Sequence, residues 1–117
     1  MAVTAEDFLR LAEELLQKTA PSEIEYRTAA ARAYYAVMHL VRSELNLNPA
    51  ESTHGTIRRR LLSLHPATTP RFLAEAKKEW DGLWDRRHRS DYEIDQNITR
   101  ETARASVRAA RRIFGLK

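Results

Sequence analysis

Several residue types and segments that constrain small proteins are scarce or missing from this 117-residue chain. It contains no cysteine, which excludes a disulfide framework and thiolate chemistry. No apolar run approaches the roughly 20 residues needed to span a bilayer. The first residues include Glu6 and Asp7, where a secretory signal would carry basic residues and then an apolar stretch. We therefore predict a cytoplasmic protein that does not contact a membrane.

Sequence motifs of several enzyme classes are also missing. The chain has no phosphate-binding glycine loop, no G-x-S-x-G motif and no two histidines at the i, i+4 spacing of a helical metal site. His88, Asp91 and Asp95 form only a loose group. We predict no metal and no cofactor, so any chemistry must come from histidine, arginine, tyrosine and carboxylate side chains.

Positive charge is concentrated in the C-terminal part of the chain. Residues 1–50 hold 5 Lys and Arg against 7 Asp and Glu, a balance of −2, whereas residues 51–117 hold 15 against 9, a balance of +6. Of the 20 basic residues 16 are arginine, whose planar guanidinium binds phosphate at two points. This bias favours an anionic partner, although a GC-rich genome or heat tolerance also raises the arginine content.

Helical periodicity runs through the whole chain. Only 3 glycines and 4 prolines interrupt it, and the apolar residues between them recur at helical spacing rather than in alternation. The length is that of one domain, residues 1–117. We predict an all-α fold, an up-and-down bundle of four to five helices. The predicted helices begin near Thr4, Ser22, Thr53, Thr69–Pro70 and Thr99, and they end before Pro21, near Leu47, near Leu64, within 84–95 and at Gly115. The inward residues of the first helix are predicted to be Phe8, Leu11, Ala12, Leu15 and Leu16.

The last predicted helix carries a row of arginines. Their spacing of three or four residues aligns the guanidinium groups on one face. A phosphate backbone would fit this row, but a solvated helix face would have the same pattern. Recognition of a DNA groove is not favoured, because no short glycine-containing turn joins two compact helices. The row consists of Arg100, Arg104, Arg108 and Arg111 or Arg112.

Two other stretches place polar aromatic side chains on helices. In RAYYAVMHL, residues 32–40, Tyr35 and His39 lie one turn apart and away from the apolar stripe of their helix. Both side chains have polar tips that need partners when buried, which is typical of an interface or core contact. In STHGT, residues 52–56, His54 lies at a helix start.

Taken together, RAYYAVMHL at 32–40, THG at 53–55 and RHRSDY at 87–92 resemble one branch of the HEPN superfamily. These are small helical proteins that are often encoded beside a minimal nucleotidyltransferase. The resemblance covers nearly the whole chain and implies a bundle that forms a homodimer, with both copies of the motifs in one cleft. It also implies a toxin–antitoxin pair that acts on RNA, with the nucleotidyltransferase as antitoxin. Binding of ATP or another nucleotide is a further alternative.

Many HEPN proteins resemble metal-independent ribonucleases in which an arginine is followed four to six residues later by a histidine. Here Arg87 matches the arginine, but Tyr92 stands five residues further on. Such cleavage needs one group to take the 2′-hydroxyl proton, another to protonate the leaving oxygen, and a cation for the charge on phosphorus. A tyrosine with the ordinary pKa of about 10 is a poor base at neutral pH. His88 is an alternative base, as are His54 and His39 if the fold brings them near.

Two interpretations of this stretch are open. Five residues rotate a side chain by about 140° on a helix, so Arg87 and Tyr92 can share a site only at a helix end or across two subunits. At the i, i+4 spacing, Arg87 faces Asp91 and His88 faces Tyr92. The alternative is therefore an ion pair that anchors the helix end, with Tyr92 at a dimer seam. The chain would then be a catalytically silent adaptor that binds a nucleotidyltransferase, a nucleic acid or a nucleotide.

These arguments predict three groups of functional residues, and whether the site is catalytically active stays open. The predicted catalytic residues are Arg87, His88, Asp91 and Tyr92. The predicted nucleic-acid-binding residues are Arg86, Arg89, Arg104, Arg108 and His54. The predicted interface residues are Tyr35, His39 and Trp84, with Trp80 one turn from Trp84.

Overall fold

The computed structural model describes residues 2–116 of the chain, so the predicted domain of residues 1–117 includes two terminal residues outside this range. Residues 2–116 form five α-helices, one short 3-10 turn and no strand, which confirms the predicted all-α fold. None of these helices combines the length and apolar character needed to cross a membrane. The helices are α1 (Ala5–Gln17), α2 (Glu23–Glu44), α3 (His54–Leu62), α4 (Arg71–Tyr92) and α5 (Arg100–Ile113), with the 3-10 turn at Pro49–Glu51.

Side-chain caps fix the start of four helices. Thr4, Ser22, Thr53 and Thr99 each accept a hydrogen bond from the backbone N–H three residues further on. These bonds satisfy donors that have no partner inside the helix. Pro70 differs from the prediction because it occupies the cap position itself, without a side-chain acceptor, and α4 begins one residue later.

Two helices end in a left-handed residue. Asn46 has a φ of 60° and Gly115 a φ of 77°. After α2, the N–H of Leu47 donates to the carbonyl of Arg42 at 2.9 Å, which is the hydrogen bond of a Schellman motif, and Leu47 is buried. The turn at Asn46 ends α2 about three residues earlier than predicted, because asparagine tolerates the left-handed conformation. The end of α3 is also earlier than predicted, by two residues.

Helix α2 is central: it packs against α1, α4 and α5, while α3 packs against α4. Fully buried alanines of α2, such as Ala33 and Ala36, allow these neighbours to approach closely. Trp80 of α4 is 1% exposed, and its Nε1 donates a hydrogen bond to the carbonyl of His54 at 3.2 Å. The stretches RAYYAVMHL, THG and RHRSDY meet at one junction of α2, α3 and α4.

Helix α1 fully or partly buries four of its five predicted inward residues, and only Leu11 is placed differently. Leu11 was predicted to face the core, but its side chain is 43% exposed. Leu9 and Ala12 occupy the buried side instead, and Phe8, Leu15 and Leu16 lie partly buried beside them. The apolar pattern predicts that this segment is a helix, but it does not decide which leucines face the core. Leucine occurs at four positions of the segment, so two adjacent rotations of the helix fit the pattern.

Candidate functional site

Arg87 of α4 lies against the paired tyrosines of α2. Its Nη2 donates a hydrogen bond to the Tyr35 hydroxyl at 2.7 Å. Its guanidinium carbon is 5.5, 5.3 and 5.7 Å from the ring centroids of Tyr34, Tyr35 and Tyr92, within the range of cation–π contacts. The Arg87 side chain is 16% exposed. A half-buried cation therefore stands among three aromatic rings.

The surroundings of Arg87 keep it charged. Partial burial opposes the charge, but the hydrogen bond to Tyr35 and the nearby Asp91 carboxylate outweigh it and raise the pKa of Arg87. Burial raises the pKa of Tyr34 to about 12, although the charge of Arg87 acts in the opposite direction. The Tyr34 hydroxyl is therefore protonated at neutral pH beside a permanent cation.

The predicted pair of Arg87 and Asp91 is present. The Nε of Arg87 is 3.5 Å from the Oδ2 of Asp91. This contact is an ion pair without a hydrogen bond, since the buried Nε has no hydrogen-bond partner among residues 2–116. Arg87 is thus only partly satisfied by residues 2–116: its Nη2 bonds to Tyr35, while its Nη1 makes no hydrogen bond to them.

A row of aromatic rings, the α4 aromatic ladder, runs along the helix beside Arg87. Its members Trp80, Trp84, His88 and Tyr92 are four residues apart and share one side of α4. Ring centroids are 4.8 Å apart for Trp84 and His88, and 4.9 Å apart for His88 and Tyr92. His54 of α3 contacts both tryptophans, at 5.2 and 4.9 Å. The ladder leads from the core at Trp80, 1% exposed, to the surface at Tyr92, 64% exposed.

The end of α4 brings Arg87 and Tyr92 together. Tyr92 is the last residue of the helix, where the two side chains are expected to meet within one chain. The guanidinium carbon of Arg87 lies 5.7 Å from the centroid of the Tyr92 ring. Trp80 is packed inside its own bundle and is therefore not available for the dimer seam that the sequence suggested. Trp84 is half-buried, and its interface role stays a prediction.

Arg27 of α2 fixes the end of α4, and sequence reasoning missed it. Its side chain is 7% exposed and donates hydrogen bonds to the carbonyl oxygens of Arg89, Ser90, Glu93 and Gln96, at 3.4, 2.9 and 3.2 Å for the first three. These bonds satisfy carbonyls that a helix end leaves free. The last turn of α4, which carries Tyr92, is thus tied to α2.

Arg27 is itself held by a carboxylate. Its Nη2 is 2.9 Å from the Oε2 of Glu23, and the same oxygen accepts a hydrogen bond from the N–H of Ile98 at 3.3 Å. Arg27 lies three residues before Ala30 and seven before Tyr34, on the buried stripe of α2. A charged residue in an apolar stripe is the signal that could have revealed it.

The arginines that flank Arg87 have other partners. The Nε of Arg86 donates to the Oγ of Ser106 on α5 at 2.7 Å, and burial lowers the pKa of Arg86. Arg89 forms an ion pair with Asp85 at 3.1 Å, one turn back along α4. Arg86, Arg87 and Arg89 are close in sequence, but their side chains have different partners on different sides of α4, which reduces the repulsion between their charges. Nucleic-acid binding by Arg86 and Arg89 stays a prediction.

The row of arginines on α5 is exposed at Arg100, Arg104, Arg108 and Arg112. Arg104 forms an ion pair with Glu101 at 3.3 Å, on the same helix. Arg111 is half-buried and pairs with Glu13 of α1, so it belongs to the packing of the bundle. RNA binding by Arg104 and Arg108 stays a prediction.

The two remaining predicted histidines differ in their neighbours but share the direction of their pKa shift. The ring of His39 is 4.9 Å from that of Phe8 on α1. Burial, followed by the charges of Arg42 and Arg32, lowers the pKa of His39. Burial also lowers the pKa of His54. Both rings are therefore mainly neutral at pH 7, the form that can accept a proton.

The described site has the groups for anion binding and proton transfer. It combines the cation of Arg87, the hydroxyl of Tyr35, the carboxylate of Asp91, and His88 in contact with Tyr92. Among residues 2–116, no group of three or more His, Cys, Asp or Glu could hold a metal ion. Such a set can bind a phosphate and, through His88 or Tyr92, exchange a proton with a bound molecule.

The comparison with protein families agrees with the helical bundle. No curated protein and no solved structure matches this chain. The family model described as HEPN domain matches residues 3–117, nearly the whole chain, and indicates a nucleotide- or RNA-related function. The chain therefore belongs to the HEPN domain family.

Proposed function

We propose that this protein binds and cleaves RNA at Arg87, as the toxin component of a toxin–antitoxin pair. The observation that carries the proposal is the placement of Arg87, half-buried, bonded to Tyr35 and surrounded by three tyrosine rings, beside an aromatic ladder that reaches the surface. Phosphate groups of RNA favour arginine, and unpaired bases stack on aromatic rings. The site offers both on neighbouring turns of α4.

The proposed chemistry is transfer of the phosphodiester from the 5′-oxygen to the adjacent 2′-oxygen. A base removes the 2′-hydroxyl proton, the new O–P bond forms, and the P–O bond to the 5′-oxygen breaks as an acid protonates it. The products are a 2′,3′-cyclic phosphate and a 5′-hydroxyl. Arg87 holds the charge that develops on phosphorus, while His88 and Tyr92 are the candidate proton carriers. Asp91 orients Arg87 through their ion pair.

Cleavage of a mixed RNA pool tests this proposal. Arg87→Ala should abolish cleavage and a chelator should leave it intact, because the cation at phosphorus is arginine. Tyr92→His should raise the rate or move the pH optimum toward neutrality, since imidazole, with an ordinary pKa near 6.5, is a better proton carrier at that pH. The proposal is lost if wild type and Tyr92→His are both inert, alone and after removal of any co-purifying partner.

The proposal includes a two-fold homodimer, whose seam involves α2 or α4 and brings two copies of Arg87 into one cleft. The exposed ring of Tyr92 and the half-buried ring of Trp84 support a seam on α4. Light scattering coupled to gel filtration should give the dimer mass at tens of micromolar. A monomer alone at that concentration would contradict it.

A second candidate function is that of a catalytically silent adaptor that binds a nucleotidyltransferase, the proposed antitoxin. It is favoured by the apolar surface at the C-terminal end of α4, where Tyr92 is 64% and Ile94 83% exposed. In that case wild type does not cleave RNA, and Arg87→Ala weakens the dimer instead, through loss of the contact with Asp91. Co-purification of the nucleotidyltransferase with wild type, but not with Tyr92→Ala and Ile94→Ala variants, distinguishes this function.

A further inference from the structure

The side of α2 that carries Tyr35 holds a second arginine, Arg32, which has no ion pair with any of residues 2–116. Arg32 precedes Tyr35 by three residues and His39 by seven, so all three share one side of the helix. The guanidinium carbon of Arg32 is 5.2 Å from the ring centroid of Tyr35 and 5.6 Å from that of Phe8. Two aromatic rings therefore hold this guanidinium in place.

Arg32 differs from the other arginines in the interior of the bundle. Arg27, Arg86 and Arg87 each donate at least one hydrogen bond to the protein. Among residues 2–116, no hydrogen bond or ion pair involves Arg32, and its Nε is buried without a partner. The guanidinium donors of Arg32 are therefore left to water or to a ligand from outside the chain.

Arg32 and Arg87 contact the same tyrosine. Their guanidinium carbons are 5.2 and 5.3 Å from the centroid of the Tyr35 ring, so both cations contact the same aromatic side chain. The charge of Arg32 also contributes, after burial and the charge of Arg42, to the lowered pKa of His39 on the same side of α2. A bound anion at this ring would supply the acceptor that residues 2–116 do not provide for Arg32.

We propose that Arg32 is a second phosphate-binding residue, which holds a phosphate of the same RNA strand next to the one at Arg87. This inference rests on the proposed function, because it takes RNA as the ligand of the Arg87 site. Phe8 and Tyr35 orient the planar fork of Arg32, so that little conformational freedom is lost when it binds phosphate at two points. The alternative is that Arg32 only packs between the two rings and stabilises the fold.

The test is the affinity for a short labelled single-stranded RNA as a function of salt concentration. Arg32→Met keeps an unbranched side chain between Phe8 and Tyr35 but removes the charge. We expect its affinity at low salt to fall about tenfold, as for loss of one charge-assisted hydrogen bond. The slope of log K against log salt should fall by about 0.7, the value for one phosphate contact on a single strand.

Two further variants serve as controls. Arg32→Lys keeps the charge without the fork, so its salt slope should stay at the wild-type value while its affinity falls. Arg10 lies two residues from Phe8, on the other side of α1, and is paired with Asp7 at 2.9 Å. Arg10→Met should keep both the affinity and the slope of wild type.

The outcomes separate this inference from the proposed function. If wild type binds no RNA, or if Arg87→Met binds as well as wild type, the proposed function fails and the inference fails with it. If Arg87→Met weakens binding but Arg32→Met keeps the affinity and slope of wild type, only the inference is overturned. A lower urea midpoint for Arg32→Met with unchanged RNA affinity assigns Arg32 to packing alone and also overturns it.

Discussion

Arg27 and Arg87 both join α2 to α4, yet their environments differ. Arg27 joins α2 to the last turn of α4, where four backbone carbonyls and the Glu23 carboxylate accept its hydrogen bonds. Arg87 joins α4 to the tyrosines of α2 and has one hydroxyl acceptor and one carboxylate at 3.5 Å, while its Nε finds no hydrogen-bond partner in the described part of the chain. The first arginine is saturated by the protein, and the second is not.

This difference separates a structural arginine from a candidate binding arginine. A buried guanidinium whose donors are all used contributes to folding and cannot bind a ligand without breaking those bonds. A guanidinium that lies on aromatic faces keeps its charge and part of its donor capacity. Burial alone therefore does not assign a role to an arginine. The number of hydrogen-bond acceptors that the protein supplies to the guanidinium distinguishes the two roles.

The largest expected effect is on folding, from Arg27→Met. The variant loses hydrogen bonds to four carbonyls that are partly or fully buried, so we expect the free energy of unfolding to fall by about 3 kcal/mol or more. RNA affinity, measured where the variant is still folded, should stay close to that of wild type. Urea unfolding followed by circular dichroism measures the first quantity.

Arg10→Met is the matched control for Arg27→Met, since Arg10 is also ion-paired within its own helix but its side chain is 65% exposed. Exposed pairs contribute little, so its urea midpoint should not change measurably. Equal midpoints for Arg27→Met and wild type would contradict the structural role of Arg27.

A smaller effect is expected from pH through His54. Burial lowers its pKa in the folded state below the ordinary 6.5, so the unfolded chain takes up the proton first. This contribution to stability is fully present above pH 6.5 and is lost as the pH falls through the folded-state value. His54→Phe keeps a ring against Trp80 and Trp84 but cannot titrate. Its urea midpoint should therefore fall less than that of wild type between pH 7.5 and 5.5, and an equal fall would refute this source of acid sensitivity.

The smallest effect on folding is expected on α5. Replacing Arg104 and Arg108 by alanine alters exposed side chains, so the urea midpoint should not change measurably. If the row of arginines contacts phosphate, RNA affinity falls at low salt and the salt dependence becomes weaker. Unchanged affinity at low salt would identify the row as a solvated helix face.

The fold was largely predictable from local signals in the sequence. Capping residues such as Thr4, Ser22 and Thr99 fixed the helix starts, because their side-chain hydrogen bonds are local. The end of α2 was predicted too late, since Asn46 was not recognised as a left-handed residue. Leu11 was assigned to the wrong side of α1, because the apolar stripe of that helix fits two adjacent rotations.

The site was predictable only where its contacts are local. The i, i+4 contacts of Arg87 with Asp91 and of His88 with Tyr92 followed from helix geometry. The bond from Arg87 to Tyr35 joins residues 52 positions apart, and its geometry is not encoded in any spacing. Arg32 was missed for the same reason, and the apolar stripe around Arg27 could mark that residue as unusual but not identify its acceptors. The role of each guanidinium depends on which hydrogen-bond acceptors the tertiary fold places around it. Sequence periodicity does not identify those acceptors.

The most direct test of the central claim is a parallel measurement of RNA affinity and unfolding free energy for Arg87→Met and Arg27→Met. Our account predicts opposite profiles. Arg87→Met should lose about tenfold in affinity for single-stranded RNA and less than about 1 kcal/mol in stability, because it gives up one hydroxyl hydrogen bond and one long ion pair. Arg27→Met should lose stability but keep its affinity. If Arg87→Met is destabilised as much as Arg27→Met and binds RNA as well as wild type, Arg87 is part of the scaffold and the claim is contradicted.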